Sequence, residues 1–92
     1  MKLFTQAQLK ELLRNGQRSH QQPSYDPCPV VKLFAPDGAA TWLLASIDPE
    51  DTDIAFGLCD LGLGFPELGT MSLSEMATVR GRLGLHIERD RH

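Results

Sequence analysis

The sequence predicts an α+β domain, with a small, mainly antiparallel sheet of three to five strands packed against two helices. Three features carry that expectation: amphipathic helical stripes near both ends, β-branched and aromatic runs between them, and turn signals joining those runs where a crossover helix would otherwise be needed. With 92 residues the chain has material for one core, so residues 1–92 read as a single domain. A composition of 41% hydrophobic and 23% charged residues suits a folded chain and excludes a wholly disordered one.

Thr5 is the expected N-cap of the first helix, with Gln8 three residues on completing a capping box. Phe4 and Leu9 occupy the positions of a hydrophobic staple, Leu9, Leu12 and Leu13 form the buried stripe, and Gly16 is the expected C-terminal stop. Residues 17–29 hold Pro23, Pro27 and Pro29 in a polar context and read as a loop or extended linker. Val30 to Phe34 and Ala40 to Ile47 read as a hairpin around the Pro36-Asp37-Gly38 turn. A third strand is expected from Ile54 to Asp60, with the large Ile54, Phe56 and Leu58 facing the core and Ala55, Gly57 and Cys59 facing away.

A glycine-rich connection follows from Gly62 to Gly69, with a short strand at Thr70-Met71 leaving it. Ser72 and Glu75 announce a second helix that Gly81 ends, and Leu83 to Glu88 supplies a last strand. No apolar stretch near Met1 is long enough for a signal peptide or a membrane span, so a cytoplasmic protein without membrane attachment is expected. Cys28 and Cys59 stand far apart with no CxxC spacing and read as reduced thiols.

Charge is divided along the chain. Between Lys32 and Arg80 there is no lysine or arginine, whereas that stretch carries eight carboxylates. Such a middle disfavours direct phosphate contact and therefore nucleic acid, and suits a protein partner with a basic surface. Solvated loop carboxylates that merely keep the surface wet are the plainer reading of the same residues.

Few arrangements of catalytic or ligand-binding type survive inspection. Counted from Asp48 as a calcium loop, the sixth position is Asp53 where the turn glycine belongs, and the twelfth is Cys59 where a bidentate glutamate belongs. Gly62-x-Gly64 leads into Phe65-Pro66 and opens no helix, which argues against a phosphate cradle; its glycines suit positive φ angles. The histidines lack metal-ligand spacing, no GxSxG elbow occurs, and no cofactor is expected. Cys59 and His86 would act together only if the fold joined them. Trp42 reads as core or as an interface anchor.

The stretches Pro29-Val30-Val31-Lys32-Leu33-Phe34, Ala40-Thr41-Trp42-Leu43-Leu44, Asp53 to Gly62, Gly64-Phe65-Pro66-Glu67-Leu68-Gly69, Ser72-Leu73-Ser74-Glu75 and Glu88-Arg89-Asp90 resemble a family of small bacterial proteins of unknown function. The resemblance implies a proteobacterial protein often encoded near mobile-element genes, and it transfers no catalytic residue. The expected function is accordingly a non-enzymatic interaction or regulatory module, an accessory of mobile elements, binding its partner through Asp48, Glu50, Asp51, Asp53, Asp60, Phe65 and Glu67. The alternative is a small hydrolase or ligand-binding protein using Asp60 and Glu67 beside the glycine-rich loop.

Overall fold

The computed structural model describes residues 3–36, 38–62, 64–78 and 85–90. Its elements are α1 (Gln6–Gln21), β1 (Val31–Phe34), β2 (Thr41–Ile47), β3 (Ile54–Asp60), β4 (Glu67–Ser72), α2 (Leu73–Thr78) and β5 (Glu88–Arg89). The strands form one sheet in the order β4-β3-β2-β1-β5, antiparallel throughout. β1 to β4 thus make a meander, and β5 returns beside β1. The α+β architecture expected from the sequence is the one observed.

α1 begins as the capping signals predict. The Gln8 amide donates to Thr5 Oγ1 at 3.1 Å, and the Thr5 amide donates to Gln8 Oε1 at 3.0 Å, so two amides without helical partners are satisfied reciprocally. The expected stop at Gly16 is overturned. α1 runs to Gln21, past the first five residues of the predicted linker, and ends where the Gln22 amide bonds to the Arg18 carbonyl just before Pro23. Gly16 instead permits close approach to β2, because a Cβ there would collide with the Ile47 carbonyl oxygen and lie 2.8 Å from its carbon. Steric contact with the sheet therefore explains a residue that propensity alone assigns to a helix end.

The core joins Leu12 of α1, Val31 and Leu33 of β1, Leu44 and Ile47 of β2, Ala55 of β3, Met76 of α2, and Ile87, with Leu3 closing the N-terminal end. Trp42 packs against it half-buried, as a core position on its strand. Leu9 of the predicted stripe is 40% exposed.

The facing expected for β3 is reversed. Ala55 and Gly57 are buried, Phe56 is 37% exposed, and Ile54 and Leu58 are only half-buried. The register explains it: Ala55 lies level with Ile47, and Gly57 with Leu44, both core residues. A Cβ at Gly57 would fall on the Leu43 carbonyl oxygen, so the small residues occupy the tight side.

β4 is longer than predicted and takes in Gly69, which pairs with Gly57 as an ordinary strand residue. Of the predicted last strand, Glu88 is in β5 and His86 makes an isolated bridge, while residues 83–84 lie outside the described residues, as does the predicted helix end at Arg80-Gly81.

Candidate functional site

The seven predicted partner-binding residues do not form one cluster. Asp48, Glu50, Asp51 and Asp53 occupy the β2–β3 turn, whereas Asp60, Phe65 and Glu67 lie around the β3–β4 connection. β3 separates them, and a strand of its length spans about 20 Å.

In the β2–β3 turn, hydrogen bonds within the fold engage most of the carboxylates. Asp48 Oδ1 accepts from the Glu50 amide at 2.9 Å, and Asp51 Oδ1 from the Asp53 amide at 3.1 Å, both bonds of Asx-turn type. Asp48 Oδ1 also stands 3.4 Å from His20 Nε2 of α1. Asp53 reaches furthest. Its Oδ2 accepts from Ser72 Oγ at 2.7 Å and Ser74 Oγ at 3.0 Å, and its Oδ1 from the Ser74 amide at 2.8 Å. The Ser72 hydroxyl, then the Ser74 amide and hydroxyl, hold the Asp53 carboxyl below its ordinary titration range. Asp53 thus caps α2 from the start of the neighbouring strand β3, a role no local sequence signal announces. Ser72 Oγ accepts the Glu75 amide at 3.3 Å, as its capping position predicts. Glu50 and Asp51 remain exposed at the tip.

At the other end, Asp60 Oδ1 accepts from the Gly62 amide at 2.8 Å. Gly62 and Gly64 take φ angles of 80° and 85°, as the loop reading requires. These turns carry the chain into Phe65, which is 81% exposed, and on to Leu68 at 70%, with Leu61 at 55%. On the sheet, Leu43, Leu58 and Leu68 stand level with one another across β2, β3 and β4. Paired residues of an antiparallel sheet share a face. The row is therefore an apolar band on the side opposite Leu44 and Ala55, running towards the Phe65 loop. Sequence reasoning picked out Phe65 but missed Leu68, whose facing follows from the strand register, and Leu61, which lies just past the end of β3.

The same register bears on the carboxylate pair of the alternative reading. Glu67 pairs with Cys59, so Asp60, one residue further on, is directed to the other face. Cys59 and His86 are also apart: His86 precedes β5 at the β1 edge of the sheet, and β2 and β1 intervene, a separation of about 14 Å at the usual strand spacing. Among the described residues no group of three or more His, Cys, Asp or Glu side chains could hold a metal ion, and no helix is long and apolar enough to cross a membrane.

Among the described residues a five-stranded antiparallel sheet with two helices makes a small α+β domain whose β3–β4 end exposes Leu61, Phe65 and Leu68. Residues 3–92 match the family described as protein of unknown function (DUF2958), and the chain belongs to that family. No curated protein and no solved structure matches it.

Proposed function

We propose that this protein is a non-enzymatic interaction module that docks a basic protein partner on the β3–β4 end of its sheet. The observation that carries the reading is the exposure of Phe65, Leu68 and Leu61 along the β3–β4 connection, with Asp60 on the same face of the sheet as Leu58 and Leu68. Large apolar side chains left in water at one place mark contact surfaces, and an aromatic at the centre is the usual anchor. β4 is also an edge strand of the sheet among the described residues, a position at which a partner could add a strand. The Asp60 carboxylate on that face would favour a basic partner over an acidic one. Glu50 and Asp51 at the far tip contribute to the same negative field and steer encounter. The family resemblance supports a bacterial setting and an accessory role on mobile elements, and the lack of an apolar segment near Met1 is consistent with the cytoplasm.

The enzyme alternative finds less support, because its two carboxylates are directed to opposite faces.

Site-specific photo-crosslinking in the native cell tests the proposal. A crosslinker at position 65 or 68 should trap a discrete protein partner, while one at Lys10, exposed on α1, should trap none. Association of that partner should slow as salt rises, since the Debye length falls from about 10 Å at 0.1 M to about 3 Å at 1 M. Equal trapping at positions 10, 65 and 68 would sink the idea.

A further inference from the structure

A cavity of about 450 Å³ opens at the other end of β3 from the Phe65 patch. Its walls are the last turns of α1, the segment 23–27, the end of β2 and the start of β3, with Thr70 of β4 at one side. That volume lies within the usual range for small-molecule sites, about 300 to 1,000 Å³. Tyr25 of one wall contacts α1 twice: its Oη lies 3.4 Å from Asn15 Oδ1, and the Arg18 guanidinium stacks 4.5 Å from its ring centroid. The 23–27 segment is thereby tied to α1 on the cavity's flank.

Ser46 singles this cavity out. It is 7% exposed, lines the cavity, and its hydroxyl has no hydrogen-bond partner among the described residues. A buried hydroxyl is nearly always paired, so one left open in a cavity wall is a group awaiting a ligand atom. The rest of the lining defines what that ligand is. Phe56 and Ile54 offer apolar surface, Asp26 and Asp48 offer negative charge, and no lysine or arginine lines the cavity. His20 Nε2 stands 3.4 Å from Asp48 Oδ1, so the polar side of the lining carries a His–Asp pair.

We propose that this cavity binds a small protonated amine with an aromatic or apolar body and a hydrogen-bonding group that reaches Ser46 Oγ. The ammonium is drawn to Asp26 and Asp48, the body lies against Phe56 and Ile54, and the Ser46 hydroxyl completes its bonding with the ligand's polar end. An anionic ligand of the same shape is disfavoured, because Asp26 and Asp48 line the cavity and no lysine or arginine does.

Tyramine is a suitable probe: it carries an ammonium, a ring and a phenol. Titrated into the isotopically labelled protein, it should shift the amide resonances of His20, Ser46, Phe56 and Thr70 saturably, at least about tenfold more tightly than the isosteric anion 3-(4-hydroxyphenyl)propionate, since charge-assisted bonds are the stronger ones. The double variant Asp26→Asn, Asp48→Asn should abolish that preference. Ser46→Ala removes a hydroxyl without a partner, so it should keep the melting temperature and weaken tyramine binding severalfold. Saturation at none of those four amides by millimolar tyramine overturns the proposal. So does equal affinity for the anion, or binding unchanged in both variants.

Discussion

The side-chain amide of Asn15 donates to the carbonyl oxygen of Ala45 at 2.9 Å, thirty residues away in sequence. The register between β2 and β3 slips between Leu44 and Ser46, so Ala45 is the extra residue of a bulge. A bulge leaves a backbone group outside the ladder, and a buried one needs another partner. Asn15, itself buried, supplies it. The neighbouring Gly16 lets α1 come close enough for that bond to form.

Removing this donor should therefore be expensive. Asn15→Ala leaves the Ala45 carbonyl buried and unpaired, at a cost of about 1–3 kcal/mol. Urea denaturation at constant slope measures it. Tyr25→Phe loses only the long contact to Asn15 Oδ1 and should cost less than about 1 kcal/mol.

Glycine-to-alanine changes should separate by position. Helix propensity alone has Gly16→Ala gaining about 1 kcal/mol, whereas the Ile47 carbonyl in its way predicts a loss of about 1–3 kcal/mol or more. Gly62→Ala forces a side chain into positive φ and against the Ala39 Cβ, and should cost at least about 1 kcal/mol. Gly69 has open space around its Cβ position and an ordinary strand φ, so Gly69→Ala should be neutral or stabilising. Melting temperatures of the three variants check the order.

Asp53 predicts an acid-limb effect. Its folded carboxyl titrates below its ordinary value of 3.8, because Ser72 and Ser74 donate to the charged form. The unfolded state then binds more protons across the interval between the two values, so stability rises with pH there. The contribution is complete above the unfolded value and is lost as pH falls through the folded one. Asp53→Asn should lower the melting temperature at neutral pH and flatten its fall as the pH drops below the ordinary carboxylate value. Parallel curves for the two proteins would show that the capping bonds do not depend on the charge.

Both cysteines are free, so two thiols should titrate in denaturant without reductant. In the native protein they should differ in rate, since Cys28 is exposed and Cys59 is half-buried in β3. Biphasic modification, with Cys28 labelled first by mass spectrometry, is the expected result.

Much of the fold was legible because its signals are local. The Thr5–Gln8 box, the Ile54–Asp60 strand and the Ser72 start of α2 each depend on residues within a few positions of one another. Phe65 was legible too, since a Phe-Pro pair after two turn glycines has little chance of burial. The sequence alone thus determined the element order, the antiparallel meander and the acidic middle. Tertiary structure decided which side of β3 is buried, because the register with β2 sets Ala55 and Gly57 level with the core residues Ile47 and Leu44, and the Leu43 carbonyl leaves no room for a Cβ at Gly57. It also decided that the acidic residues divide into two ends, that Asp53 caps a helix, and that Ser46 faces a cavity. Each of these depends on which distant atoms the strand register and the β2 bulge bring together, and neither is encoded within a few residues of chain.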